Sequence, residues 1–375
     1  MLLVSVETVV SSVQVVQGPD WLVVDFGSGA PRRSAFHFRW LRHHTKEDRH
    51  PITGERTLCS SELPDDLAPL SARIEAQPQG SVLAVAWSDA RNTEHDLSWL
   101  QEHAYASEHD IPVEVDARVA SYELWREQRS FDEIAREAVE QVNRLGLVVV
   151  RAPAGSDPES ETEGWIEAFA RAGLDLVGTH FGRIEDLRPD NTTNSNTDQL
   201  GYTDAAIQLH TDQPFLEEPP RYQMLQGVVR ATHGGDNVFV DAREASNYYA
   251  SIASYEHSLL ASLPVRFSRR QKHFSRDVDS PILRLATAEQ PFRVRYSYFT
   301  LAPLSFPFAL MSSFYRAHDA FARMVREPGR GVRVSLAPGD IALYDNHRML
   351  HSRTPFEGSR WVRGVYFNPS GAAAR

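Results

Sequence analysis

The first hundred residues alternate between apolar and polar positions in short bursts. Residues 9–10, 13–16, 21–26 and 81–87 are β-branched or aromatic, and Gly18-Pro19 and Gly27 break the early runs. Such runs with turn residues between them predict short strands. A polar, histidine-rich stretch at 42–51 interrupts them. Residues 96–103 read as a short amphipathic helix, and 104–116 as a connector.

The period changes near residue 117. Ile134, Ala138, Val139, Val142 and Leu145 share one helical face, and Gly146 ends the pattern as a C-cap. Residues 147–150 then read as a buried strand, and 163–172 as a second helix closed by Gly173. The span 178–199 is rich in Asn, Thr and Asp, which predicts a long loop of the kind that often carries function. From 206 onward short strands dominate, with one helix at about 312–326. No internal repeat is visible. The pattern predicts a mainly β chain whose second part is an antiparallel barrel or jelly roll buttressed by helices.

Length refines this picture. A chain of 375 residues exceeds one ordinary domain. The expected division is an N-terminal β-rich domain at 1–103 and a larger domain at 117–375. A hydrophobic fraction of 42% supports a packed core. The net charge of -11 argues against a nucleic-acid partner. The basic group Arg269-Arg270-Gln271-Lys272 is too short to change that. A single cysteine, Cys59, excludes an internal disulfide and a thiolate-rich zinc site. The N-terminus lacks a basic region before its apolar residues, and no run approaches a membrane span. The expectation is a cytoplasmic protein with no membrane partner.

The candidate chemistry lies in two segments, Leu209-His210-Thr211-Asp212 and Asp345-Asn346-His347-Arg348-Met349-Leu350-His351. A His-x-Asp on a strand puts both side chains on one face. A histidine from a distant strand would complete two imidazoles and one carboxylate, the facial set of non-haem Fe(II) oxygenases. His347 and His351 would share a strand face, so either is a candidate. Open positions opposite would hold 2-oxoglutarate and oxygen. The co-substrate's far carboxylate calls for a guanidinium fork. Arg360 and Arg363 qualify, but at this spacing they face opposite sides of a strand.

Further segments sharpen the pattern: Phe181-Gly182-Arg183-Ile184-Glu185, Leu200-Gly201-Tyr202-Thr203, Gly234-Gly235-Asp236, Pro338-Gly339-Asp340 and Arg360-x-x-x-Gly364-x-Tyr366. Over nearly its full length the chain resembles the γ-butyrobetaine dioxygenase branch of the taurine-dioxygenase-like oxygenases, which also holds trimethyllysine dioxygenase. The resemblance implies a double-stranded β-helix catalytic domain behind a small β-rich domain. It implies His210, Asp212 and His351 as catalytic iron ligands, with ascorbate as reductant. It places Arg360, with Leu225 and Asn237, at 2-oxoglutarate, and makes Arg363 the weaker candidate. Substrates of this branch carry a trimethylammonium group, held by aromatic faces. Tyr202 and Tyr366 match cage positions, Phe181 matches a third approximately, and Glu185 stands where another aromatic is expected. The resemblance also implies a homodimer.

Two departures stand out. The family's N-terminal domain binds zinc through three cysteines and a histidine. Here His95 matches the histidine, His50 falls at one lost cysteine, and no structural zinc is expected. The family also reads the acid end of γ-butyrobetaine with two asparagines. Gln199 replaces the first, and Ser297 or Tyr298, beside Arg295, replaces the second. Hydroxyl and guanidinium donors suit a tetrahedral anion better than planar amides. A branch of the resembled family hydroxylates 2-(trimethylammonio)ethylphosphonate next to phosphorus, and the resemblance together with these replacements makes that the expected substrate. γ-Butyrobetaine or trimethyllysine hydroxylation in carnitine synthesis and a taurine-type reaction are the alternatives. A zinc hydrolase would leave the distal arginine without a purpose, and a non-catalytic binding module would be expected to have lost a ligand.

Overall fold

A computed structural model describes residues 15–17, 20–27, 29–49, 57–105, 119–189 and 200–371. These residues form two compact units, one on each side of the 106–118 stretch.

In the first unit, Val15–Gln17, Trp21–Asp25 and Arg33–His37 make one antiparallel sheet. Pro69–Gln77, Gly80–Trp87 and Asn92–Asp96 make a second. Leu22 and Val24 enter the unit's main core with Phe36 and Trp87, while Trp21 and Val23 form a separate small cluster with Ala35. This is the two-residue period of a strand. The helix expected at 96–103 runs Leu97–Glu102. The histidine-rich stretch contains the end of a helix, Phe38–His43, whose Arg42 is buried between Asp48 and Asp89. Residues 9–10 and His50 lie outside the described residues, as does most of 104–116.

In the second unit the helix expected at 131–146 is Phe131–Leu145. Ser130 and Glu133 close its start as a capping box, and Gly146 ends it at φ 89°. A Cβ on Gly146 would stand 2.7 Å from Met349 Sδ, so glycine is required there on two counts. The second helix, Pro158–Arg171, starts earlier than expected because Pro158 opens it at the first turn. The helix expected at 312–326 is Phe308–Val325. Two further helices, Ala242–Ile252 and Ser254–Ser262, correct the expectation of strands there. Their serines and tyrosines blur the apolar period, although Asp241 caps the first by accepting from Arg243 N at 3.0 Å. The expected loop at 178–199 contains a short strand, Glu185–Leu187.

Two sheets carry the unit. The larger has seven strands in the order Glu185–Leu187, Trp361–Pro369, Tyr222–Val229, Ile341–Asp345, Leu147–Arg151 and Ser121–Trp125, with Leu174–Val177 also on Trp361–Pro369. Ser121–Trp125 alone in this sheet pairs in parallel. The smaller has four: Ile207–His210, Met349–Arg353, Asn237–Asp241 and Val332–Val334. Their inner faces share one core, with Phe239, Val334 and Met349 meeting Leu147, Leu225, Ala342 and Val362. The result is a jelly-roll sandwich. On the outer face of the larger sheet, Trp165 and Phe169 pack over Met224, Leu343 and Val365. On the outer face of the smaller, Leu209, Val240 and Leu350 meet Tyr249, Phe314 and Phe321. Each such buried side chain contributes about 1.5–3 kcal/mol. Among the described residues no helix is long and apolar enough to cross a membrane.

Candidate metal centre and substrate cavity

Strand alternation decides what reaches the space between the sheets. On Met349–Arg353, Leu350 packs outward, so His351 and Arg353 face inward. On Ile207–His210, Leu209 packs outward and His210 inward. On Trp361–Pro369, Val365 and Phe367 pack outward, while Val362 and Tyr366 face in. Asn237, Gln223 and Leu225 join from their own strands. All of these line one cavity of about 860 Å³, mouth included.

His210 and His351 are direct partners across the antiparallel ladder. Asp212 lies just beyond the strand rather than on it. The chain leaves the ladder at Thr211, whose N–H donates to Tyr296 O at 2.7 Å and whose hydroxyl accepts from Tyr296 N at 3.1 Å. The geometry still converges. Asp212 Oδ1 is 3.3 Å from His210 Nε2 and 3.8 Å from His351 Nε2. One ligand atom from each residue falls within 4.8 Å of the others. Neighbouring ligands on a metal with bonds of about 2.1 Å stand about 3 Å apart, so this set fits an ion. Strand spacing alone left His347 and His351 open, and the resemblance implied His351. The structure puts His347 in the turn, with Nε2 2.9 Å from Pro219 O, and His351 in the cluster.

The charge state suits metal binding. Burial alone would raise the Asp212 carboxyl. The His351 and His210 rings and the Tyr366 hydroxyl outweigh it and hold Asp212 well below the usual carboxylate range. Burial, reinforced by His210, pushes His351 down to about 3, which keeps its ring neutral. His210 Nδ1 lies 2.8 Å from Gln208 O, so Nδ1 carries the proton and Nε2 offers its lone pair. Tyr366 donates to Asp212 Oδ2 at 2.8 Å and leaves Oδ1 toward the histidines.

Arg360 lines the cavity and Arg363 does not. Arg363 points outward from its strand and binds Asp186 at 3.2 Å and Thr162 Oγ1 at 2.8 Å, which removes it as a co-substrate candidate. Burial and then Arg353 push Arg360 down to about 9, so it stays protonated near neutrality. Its Nε donates to Gly235 O at 3.1 Å. A Cβ on Gly235 would stand 2.9 Å from Arg360 Cδ, which explains the glycine. Leu225 and Asn237 line the same cavity. Arg360, Asn237 and Leu225 could thus hold a dicarboxylate co-substrate beside the metal.

Among the expected substrate residues, Phe181, Glu185 and Tyr366 line the cavity. Tyr202 does not line it but donates to Oε1 of cavity-lining Glu185 at 3.1 Å. Gln199 lies outside the described residues. The acid-end cluster requires correction, because Arg295, Ser297 and Tyr298 do not line the cavity. The Arg295 guanidinium is buried and donates to the carbonyls of Pro214 (2.7 Å), Leu216 (2.6 Å) and Glu217 (2.6 Å). Ser297 is buried, and Tyr298 is exposed with its ring against Phe299. Phe299, Gln213, Phe215, Arg269 and Arg353 line the cavity and were missed. Arg353 was legible, two residues after His351 on one strand face. Arg269 was not, since nothing local ties that hairpin to the metal residues. In the first unit His95 is buried, with Nε2 3.3 Å from Thr93 Oγ1.

Comparison with known proteins bears on the same region. The family model described as "Taurine catabolism dioxygenase TauD, TfdA family" matches residues 110–366. Dioxygenase str8 of Strobilurus tenacellus is 24% identical over 361 residues, covering 90% of this chain and 83% of its own. Gamma-butyrobetaine dioxygenase of Pseudomonas sp. (strain AK-1) is 26% identical over 351 residues, 89% and 88% of the two chains. Trimethyllysine dioxygenase of Meyerozyma guilliermondii is 25% identical over 381 residues, 93% and 91%. The match spans well over half the chain and includes both histidines and the aspartate, so the chain belongs to the TauD, TfdA family and is an Fe(II)- and 2-oxoglutarate-dependent dioxygenase.

Proposed function

We propose that the enzyme hydroxylates a small trimethylammonium zwitterion, and that this substrate is 2-(trimethylammonio)ethylphosphonate, hydroxylated at the carbon next to phosphorus. One observation carries the cation end. Glu185 is 5% exposed, lines the cavity, and sits below the hydroxyls of Tyr202 and Tyr366 at 3.1 and 3.4 Å. A quaternary ammonium cannot donate hydrogen bonds, but a carboxylate at the cavity wall attracts its charge, and Tyr366 and Phe181 beside it offer aromatic rings for it to rest on.

In this reading His210, Asp212 and His351 hold the iron. Arg360 pairs with the far carboxylate of 2-oxoglutarate, and Asn237 and Leu225 flank it. Iron with 2-oxoglutarate supplies the oxidising chemistry when bound. Overall, one oxygen atom of O2 enters the substrate C–H as hydroxyl, and the other enters succinate as carbon dioxide leaves. The chain's own work is orientation: the cation subsite and the cavity walls hold one C–H toward the metal. Arg269 in the lining supports an anionic far end.

A specific observation favours a second reading, since two relatives bear the names gamma-butyrobetaine dioxygenase and trimethyllysine dioxygenase. The test is succinate production by purified protein with Fe(II), ascorbate and 2-oxoglutarate. Faster turnover of the phosphonate than of γ-butyrobetaine or trimethyllysine is the expected result. Turnover of γ-butyrobetaine alone would keep the cation subsite and discard the phosphonate. Turnover of taurine alone would discard both.

A further inference from the structure

Gln213 follows Asp212 directly and lines the cavity. It is 5% exposed, and among the described residues neither its Oε1 nor its Nε2 has a hydrogen-bond partner. Its φ of 53° lies in the left-handed region, which a residue with a side chain holds only at some cost. A buried amide with no partner is costly as well. Two unfavourable features at one cavity-lining residue mark a place where a ligand's polar atoms complete the site.

The surroundings hold this residue in place. Leu216 N donates to Gln213 O at 3.1 Å, and Arg295 gathers the carbonyls of Pro214, Leu216 and Glu217. Phe215 packs against Phe274 at 5.7 Å between ring centroids. Phe274 belongs to the hairpin Val265–Gln271 and Phe274–Ser280. Val265 and Phe267 are buried on that hairpin, and alternation gives Arg269 the same face. Among the residues that suit 2-oxoglutarate, Leu225 and Asn237 stand on the sheets and Arg360 just before one of their strands, whereas Gln213 and Arg269 come from this loop and hairpin.

We propose that Gln213 donates its amide N–H to the anionic end of the substrate, with Arg269 supplying the opposite charge. The two form the acid-end subsite that Arg295, Ser297 and Tyr298 do not. The proposal rests on the zwitterion reading above only for what occupies the other end.

The experiment is calorimetric titration of the protein loaded with Fe(II) and 2-oxoglutarate, under nitrogen. The probes are 2-(trimethylammonio)ethylphosphonate and γ-butyrobetaine, their carbon isosteres 3,3-dimethylbutylphosphonate and 5,5-dimethylhexanoate, and propyltrimethylammonium, which lacks an acid. In Gln213→Leu and in Arg269→Gln, the Kd of whichever acids the wild type binds is expected to rise about tenfold or more, as for loss of a hydrogen bond to a charged group. The Kd of propyltrimethylammonium is expected to stay within about twofold, since it has no acid for either residue to read. Gln213→Glu keeps the shape, adds like charge, and is expected to weaken the acids further; it carries the test if Gln213→Leu does not fold. Parallel weakening of propyltrimethylammonium, a changed affinity for 2-oxoglutarate instead, or no binding of any acid by the wild type would overturn the proposal. If the wild type binds the carbon isosteres as tightly as the zwitterions, the cation-end reading fails. The response of the acids to the variants still decides the anion subsite.

Discussion

Asn346 grips Asp212 by its backbone on both sides. Its Oδ1 accepts from the Asp212 N–H at 2.8 Å, and its Nδ2 donates to the Asp212 carbonyl at 3.1 Å. The same Nδ2 donates to Pro220 O at 3.1 Å, and the side chain is 1% exposed. Asn346 sits in the turn before the His351 strand. One buried amide therefore ties the Asp212 backbone to the turn that leads into the His351 strand. Asn346→Ala is expected to cost about 1–3 kcal/mol of stability. It is also expected to weaken Fe(II) binding about 10- to 100-fold, as removal of a group that orients a ligand does. Anaerobic Fe(II) titration checks this; unchanged iron affinity would refute the positioning role.

The two histidines of the distal segment separate cleanly. His351→Gln is expected to abolish succinate formation, because it removes one of three converging ligand atoms. His347→Gln is expected to keep iron binding while losing about 1–3 kcal/mol of stability, since the His347 ring lies outside the ligand cluster and bonds Pro219 O. Measuring iron content beside thermal unfolding distinguishes them. Loss of iron from His347→Gln would reverse the assignment.

A similar contrast divides the two arginines. Arg360→Gln is expected to raise the KM for 2-oxoglutarate about tenfold or more, the cost of losing a charge-assisted pair. Arg363→Gln breaks an outward contact to Asp186 and is expected to leave that KM nearly unchanged. Equal effects from both, or a larger effect from Arg363→Gln, would refute the assignment of Arg360.

Acid is expected to destabilise the fold through His347. Burial, then Arg293, pushes its ring from an ordinary 6.5 down to about 3. Between those values the unfolded chain binds a proton that the folded chain refuses. Its contribution is therefore fully present above about pH 6.5 and is lost as pH falls toward about 3. Buried His95, at about 4, acts in the same direction. Thermal unfolding at pH 7.5, 6.5 and 5.5 should show a falling Tm, with a shallower slope in His347→Gln. Identical slopes in the two proteins would rule out this origin.

Sequence alone reached whatever depends on near neighbours. The helix Phe131–Leu145 was legible because its apolar spacing and both caps lie within one short stretch. Arg360 and Arg363 part as strand alternation expects, though Arg360 lies just before the strand Trp361–Pro369. The His210-x-Asp212 pair was legible as chemistry, though Asp212 lies past the strand because Tyr296, far along the chain, captures Thr211. Tertiary structure decided the rest. It showed why His351, which the resemblance implied and strand spacing alone could not separate from His347, joins the cluster: the ladder sets it opposite His210. It took Arg295 out of the cavity and gave it to backbone carbonyls. It brought Gln213 and Arg269 to the cavity from a loop and a hairpin. Periodicity and capping act over a few residues, whereas hydrogen bonds and packing across two sheets depend on register between distant strands, which no local pattern records.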